Sequence, residues 1–265
     1  MKCWMTALKL FGIDLGRVVS SMSAAPRYFR DKRRFEKMDW AQPQPFVRGT
    51  PIPCLGDSGM ASGVGRGAYF HQDMLVARRI FENVPERHID VGSRVDGFVA
   101  HVASFRDLEV IDIRPLSDDI PHVTFLQADM MDELPPKFFG CCDSLSCLHA
   151  LEHFGLGRYG DPLMPDGWAR GFRNLSAMLR GGGRLYLSVP VGQQQRVNFN
   201  GHRVFSLPFL VGLFDGVFDI AEVSVVDDGG NLHRNVDWTG SDVSRNLGLR
   251  TGCGIVEAVK KETFL

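Results

Sequence analysis

The sequence predicts a doubly wound α/β domain, a mainly parallel sheet of seven strands with helices on both faces, behind an N-terminal helical extension. Three observations carry this prediction. From residue 69 to residue 260, short runs rich in Val, Ile and Leu alternate with segments of helical periodicity, as strands joined by crossover helices do. Three of the strand-like runs, HIDVGSRVDGF, EVIDIRP and FLQADMMD, end on an acidic residue beside a turn, at Asp90, Asp112 and Asp129. Two glycines, Gly92 and Gly97, follow the first run, where the backbone must turn from strand into helix.

The bulk numbers set the frame. A chain of 265 residues with 44% hydrophobic content buries one large core, or one core with an appended segment. A net charge of -1 gives no bulk attraction to nucleic acid. Nor does the core carry a basic stripe with interleaved aromatics, so nucleic acid is not an expected partner. Six cysteines without a C-x-x-C pair point to a reduced, cytoplasmic protein, with Cys141 and Cys142 as buried thiols in a strand. The apolar stretches fall short of a transmembrane helix, and Lys9 and Asp14 interrupt the N-terminal run that a signal peptide would need.

Residues 1–67 form the expected extension, an amphipathic helix and a lead-in rich in Pro and Gly; residues 68–265 form the expected domain. Trp4, Leu8, Phe11, Leu15, Val18 and Met22 follow a 4-3-4-3-4 spacing, an apolar helix stripe. Residues 1–40 carry nine Lys or Arg against four Asp or Glu, with Arg30, Lys32, Arg33 and Arg34 clustered in a charged stretch behind the stripe. One reading is a helix that docks peripherally on a membrane or on a partner. The reading favoured by the usual role of long amphipathic helices is packing on its own domain or on a second copy. Tyr69–Asn83 has helical spacing and stops before Pro85. Strands are expected at His88–Val91, Glu109–Ile113, Thr124–Gln127, Asp143–Leu148, Arg184–Val189, Phe218–Val226 and Gly254–Val259. Helices are expected near Gly97–Phe105, at Trp168–Leu179 before the Gly181–Gly183 cluster, and around Leu207–Phe214. Residues 227–250 read as a polar insertion before the last strand.

In a doubly wound sheet the ligand lies outside the carboxyl ends of the strands at the topological switch point. The loop G-S-R-V-D-G lacks the Lys-Ser/Thr of a P-loop and does not fit the G-x-G-x-x-G of dinucleotide folds. Asp112, 22 residues after Asp90, stands where a carboxylate takes both ribose hydroxyls. A dehydrogenase would share that feature. Asp129 separates the classes: an acid after the third strand, followed by Met130 and Met131, suits an exocyclic amine and an adenine ring. Together the acids favour S-adenosylmethionine as cofactor over a dinucleotide.

The order DVGS, VIDI, QADMMD, CDSLSCLHALEH and LRGGGRLYLSVP resembles the Rossmann-like, class I S-adenosylmethionine-dependent methyltransferases, over roughly residues 69–260. More closely, DVGSRVDGF, LEHFGLGRYGDP and HRVFSLP resemble a methyltransferase-like family classed as a domain of unknown function, with members among bacterial surface-polysaccharide genes and in nematodes. The resemblance implies an antiparallel last strand. It also implies cofactor contacts at Asp90, Gly92, Asp112, Asp129 and the segment after the fourth strand, which opens at His149. Ser93, Ile113 and Met130 stand beside these and complete the expected set. Ser93 and Asp96 depart from the pattern by standing where many relatives have further glycines.

The acceptor side is expected from two loops. His149, Glu152 and His153 follow the fourth strand, with Arg158, Tyr159 and Asp161 beyond them; His153, with Glu152 beside it, is a candidate base for an alcohol acceptor. After the fifth strand, Gln193–Gln195, Arg196, Asn198, Asn200, His202 and Arg203 offer many directed donors, and His202 is the second candidate base. Tyr69, His71 and Asp73 are candidates for a lid. Asp161, Asp166 and Glu152 have no diagnostic metal spacing, so no metal is expected. The sequence therefore predicts an O-methyltransferase acting on a carbohydrate or sugar nucleotide in glycan biosynthesis; the three acids argue against a lost cofactor site, and the glycine loop against a weaker NAD reading. A methyltransferase-shaped scaffold without activity in a glycan-assembly complex is the alternative.

Overall fold

The computed structural model describes residues 14–38, 50–55 and 63–262, with Gly12 and Ala61 as isolated positions. The chain divides into two compact units, Met1–Val64 and Gly65–Leu265.

In the first unit, helix α1 spans Leu15–Glu36, and its N-cap Asp14 accepts from the backbone N–H groups of Gly16 and Arg17. The helix continues through Pro26 and through the basic stretch expected to follow it, supported by the i,i+4 pairs Arg27–Asp31 and Lys32–Glu36. Leu15, Val18 and Met22 of the apolar stripe are exposed; Trp4, Leu8 and Phe11 lie outside the described residues. Among the described residues no helix is long and apolar enough to cross a membrane.

The second unit is built on one sheet. Helix α2 (Ala68–Asn83) precedes strand β1 (His88–Val91), and a π turn at Val95–Val99 leads into the short helix α3 (Ala100–Ala103). Strands β2 (Leu108–Asp112), β3 (Val123–Gln127) and β4 (Cys142–Leu148) follow, then helix α4 (Gly167–Met178) and strand β5 (Leu179–Val191). A hairpin of β6 (Arg196–Asn198) and β7 (His202–Val204) leads to α5 (Leu207–Gly212). Strands β8 (Phe218–Val226), β9 (Leu232–His233) and β10 (Gly252–Lys260) close the chain.

The strand order is β3-β2-β1-β4-β5-β10-β8-β9. β3, β2, β1, β4 and β5 run parallel; β10 inserts antiparallel between β5 and β8. The mainly parallel sheet with an antiparallel last strand is as expected. The expected count is one short, because Leu232–His233 within the polar insertion pairs with β8 as an eighth strand. The glycine cluster also differs from expectation. Strand β5 starts directly after α4 and runs through Gly181–Gly183, where Gly182 has φ +72 and the β4–β5 register slips, so the glycines form a bulge rather than a helix stop.

Apolar residues fill both faces. Val76 and Ile80 of α2, with Val99 and Val102, cover one side of the sheet; Leu175 and Met178 of α4, with Leu207 and Leu210 of α5, cover the other. Each such side chain, fully buried, contributes about 1.5–3 kcal/mol relative to exposure. The chain leaves β1 to one side for β2 and returns on the other for β4, so the switch point lies between the carboxyl ends of β1 and β4.

Candidate active site

A cavity of about 550 Å³ opens at this switch point, within the ~300–1,000 Å³ usual for small-molecule sites. Its foundation is polar and closed. Alternation along β1 and β4 turns His88 and Asp90 toward Ser144 and Ser146. The Ser146 hydroxyl donates to Asp90 Oδ1 at 2.6 Å, so His88 Nε2 carries a proton and donates to Ser146 Oγ at 3.1 Å. Asp90 also accepts from the Ser93 hydroxyl (2.7 Å) and backbone N–H (3.1 Å), which fixes the turn after β1. Burial pushes the Asp90 carboxyl up to about 7 and His88 down to about 3. Asp90 and Ser93 therefore stand behind the cavity wall and shape it, rather than facing a ligand.

Gly92 does line the cavity. It sits at φ +73, and a Cβ there would lie 2.8 Å from Ala150 Cβ. The close approach that requires glycine is thus made by the loop after β4. Gly97 likewise admits the Asp73 carboxylate of α2, whose Oδ2 would lie 2.8 Å from a Cβ.

Asp112 and Asp129, at the ends of β2 and β3, both line the cavity with Ile113, Met130 and Met131. Asp129 Oδ1 accepts from the Met131 N–H at 2.8 Å, and desolvation raises its carboxyl above the usual range. Asp112 is engaged already: Arg114 donates to Oδ1 from Nε at 3.0 Å and to Oδ2 from Nη2 at 2.5 Å, and its backbone N–H adds a third bond at 2.8 Å. A ribose diol at Asp112 has to share or displace that guanidinium.

Helix α2 supplies a side wall. Tyr69 packs on His149 with ring centroids 4.9 Å apart, and Arg94 lies over Tyr69 at 5.5 Å. Gln72 Nε2 donates to Asp73 Oδ1, so its Oε1 accepts from Ser188 Oγ (2.6 Å) and from His149 Nδ1 (2.8 Å). That fixes the proton of His149 on Nδ1 and leaves Nε2 as an acceptor. His149 holds a left-handed φ of +50 at the tip of β4, backbone strain of the sort found at functional sites. Desolvation brings it down to about 4, so it is neutral at physiological pH.

The loop after β4 and the β6–β7 hairpin form the open side. His153 Nδ1 donates to the Gly201 carbonyl at 2.7 Å, which leaves Nε2 without the proton. His153 lines the cavity, and burial pushes it down to about 4. Its Nε2 lies 3.7 Å from Glu152 Oε1. Glu152 is fully buried behind the lining, Oε2 has no hydrogen-bond partner, and desolvation lifts its carboxyl to about 8. At neutral pH the two face each other uncharged, so the short contact is not an ion pair. His202 stands behind His153, ring centroids 6.5 Å apart, and outside the cavity lining. Arg203 is structural: its guanidinium donates to the carbonyls of Glu152, Phe154 and Pro165 and ties the loop to β7.

The structure thus gathers Gly92, Asp112, Ile113, Asp129, Met130, His149 and His153 around one cavity, with Tyr69 of the expected lid. It places Asp90, Ser93 and Glu152 beneath it and His202 beside it. Of the other lid candidates, His71 Nε2 contacts the Gly230 carbonyl at 3.1 Å and Asp73 faces the Gly97 turn. Arg114 and Gln72 escape sequence reading. Asn200-Gly201 is a hairpin-turn signal in what reads as a polar loop, and Asn200 indeed adopts φ +59. Among the described residues no three His, Cys, Asp or Glu gather to hold a metal ion.

A family described as Caenorhabditis protein of unknown function, DUF268, matches residues 125–230, a segment running from β3 to just past β8. No curated protein matches the sequence. Among solved structures, the [4+2]-cyclase SpnF superposes with a TM-score of 0.53 at 17% identity, covering 76% of this chain and 86% of its own. The N-methyltransferase NodS from Bradyrhizobium japonicum, with S-adenosyl-l-homocysteine, gives 0.49 at 12% identity over 74% of this chain and 89% of its own. A 1,6-didemethyltoxoflavin-N1-methyltransferase from Burkholderia thailandensis gives 0.49 at 14% identity, covering 72% and 79%. With the strand order, the SpnF match shows a methyltransferase-like fold.

Proposed function

We propose that the cavity binds S-adenosylmethionine and that the protein transfers its methyl group to an oxygen of a carbohydrate or sugar-nucleotide acceptor. One observation carries this reading: two carboxylates on adjacent strand ends, Asp112 and Asp129, face a single cavity at the switch point together with Met130 and Met131. The residues fit an adenine nucleoside. Asp112 would accept the ribose hydroxyls, Asp129 would accept from the exocyclic amine, and Met130 and Met131 would supply apolar contact to the ring. The cofactor, when bound, supplies an electrophilic methyl group on a sulfonium.

His153 Nε2 takes the acceptor's hydroxyl proton as its oxygen forms the new bond, because Nδ1 is committed to Gly201. Its low proton affinity keeps it in the neutral form throughout the physiological range. Tyr69 and His149, packed on each other, form part of the wall of the same cavity.

Calorimetry with S-adenosylhomocysteine tests the reading. The wild type binds it and not NAD, and Asp112→Asn weakens it roughly 10- to 100-fold, as expected for loss of a charged hydrogen-bond acceptor. Silence toward S-adenosylhomocysteine removes the proposal. In a screen of nucleotide sugars, His153→Gln lowers kcat about 100-fold or more with S-adenosylhomocysteine affinity unchanged. Full turnover in that variant removes His153 as the base.

A further inference from the structure

We propose that Arg158 and Arg114 form a phosphate subsite at the mouth of the cavity, so that the methyl acceptor carries a phosphate group; this rests on the reading of the cavity as a methyl-transfer site. Both guanidiniums line the cavity, and both lie over the Tyr159 ring, Arg114 at 4.6 Å and Arg158 at 5.1 Å. Their partners set them apart from the other arginines nearby. Arg94 is paired with Asp96, and Arg203 is spent on backbone carbonyls. Arg158 is exposed and has no carboxylate within ion-pair distance among the described residues; its Nη1 donates to the Gly201 carbonyl at 3.1 Å.

Among the described residues Arg114 forms an ion pair only with Asp112. When Asp112 accepts ribose hydroxyls, that guanidinium gives up at least part of its pairing and stands beside Arg158 on the same ring. Two forks around one tyrosine match the several acceptor oxygens of a phosphate better than a single carboxylate, which one fork satisfies.

The surrounding loop is built to present Arg158. The Asp161 carboxylate accepts from the backbone N–H groups of Gly157 (3.0 Å) and Tyr159 (3.1 Å), on either side of Arg158. These bonds fix the backbone on either side of Arg158. The hairpin side adds positive charge: Arg158 and Arg196 both help to hold His202 below its ordinary value, after burial. The acceptor hydroxyl, at His153, lies next to this subsite, since Arg158 Nη1 is 3.4 Å from His153 Nδ1 and both meet the Gly201 carbonyl.

The test uses the full chain and measures S-adenosylhomocysteine binding first, then pyrophosphate and glucuronate binding, by calorimetry. The wild type is expected to bind pyrophosphate more tightly than glucuronate. Arg158→Gln weakens pyrophosphate roughly 10- to 100-fold while S-adenosylhomocysteine affinity stays within about threefold. Arg114→Gln weakens pyrophosphate only when S-adenosylhomocysteine is present, since without it Arg114 is held by Asp112. Absent pyrophosphate binding in the wild type, unchanged binding in Arg158→Gln, or a preference for glucuronate overturns the subsite. Failure of S-adenosylhomocysteine to bind, with Arg158-dependent pyrophosphate binding intact, overturns the methyl-transfer reading and leaves the subsite standing.

Discussion

Replacing Glu152 with methionine is expected to leave stability nearly unchanged at pH 5 and to raise it by roughly 2–4 kcal/mol at pH 9. The carboxyl is fully buried, Oε2 has no hydrogen-bond partner among the described residues, and the Arg158 charge offsets the cost of burial only in part. Burial raises it from 4.5 to about 8. The sign follows from linkage: the folded state holds the proton more tightly than the unfolded chain. The stability due to Glu152 is therefore fully present below pH 4.5 and is lost as pH rises through about 8. Methionine is of similar length and has no proton to lose, so the variant lacks that decline. Asp90 has a decline of the same sign, from 3.8 to about 7, but it is common to both proteins and cancels in the difference. Chemical denaturation of the pair from pH 5 to pH 9 reads the effect. A difference that does not grow with pH sinks the assignment of Glu152 as a buried neutral acid. A stabilised variant with reduced methyl transfer is the usual trade between stability and a strained functional group.

What sequence reading recovers here, and what it misses, has a physical division. Asp112 and Asp129 were legible because a strand end in a parallel sheet faces the crevice, so strand position alone places a side chain. His153 was legible for the same reason, as part of the loop that leaves β4. Direction within that loop was not. Glu152 and His153 are neighbours in one 3-10 turn, and only packing decides that one points into the cavity and the other beneath it. The resemblance counts Asp90 among the cofactor contacts, but its carboxylate holds the glycine turn through Ser93 and is captured from across the strand pair by Ser146, two residues before the end of β4. Arg114 was invisible for a different reason. It follows Asp112 by two positions, and nothing in spacing tells whether an arginine beside a ribose-binding acid pairs with it or faces away. Gln72 reaches the site from a helix before the first strand, a distance in sequence that no local pattern spans. The hairpin of β6 and β7 escapes sequence reading although Asn200-Gly201 signals it, because each strand is only three residues long, too short for its alternation to stand out from a loop.

Gly155→Ala is expected to destabilise the domain by roughly 3 kcal/mol or more, the largest effect of any single methyl group in the acceptor loop. Gly155 sits at φ +78, and an added Cβ would lie 2.0 Å from the Met164 carbonyl oxygen and 2.9 Å from its carbon. Neither is a side-chain end that can swing away. The same two residues are joined by the Met164 N–H donating to the Gly155 carbonyl at 2.9 Å, so backbone pairing holds the contact closed from both sides. Gly160→Ala is the matched control: φ is +86, but no atom lies within 4 Å of its Cβ. There only the left-handed conformation is penalised, about 1 kcal/mol. For a domain of this size 1 kcal/mol moves Tm by about 2–4 °C, so Gly155→Ala should melt near 10 °C lower and Gly160→Ala only a few degrees lower. Equal losses would mean that φ alone matters and that the 155–164 closure is not held. The comparison also separates loop from core. Residues 155–164 carry Arg158 and Tyr159 and close on the loop that holds His153. A variant in which the loop opens without global unfolding should keep S-adenosylhomocysteine binding at Asp112 and Asp129 and lose pyrophosphate binding at Arg158, because the strand ends that hold the acids do not depend on the 155–164 contact.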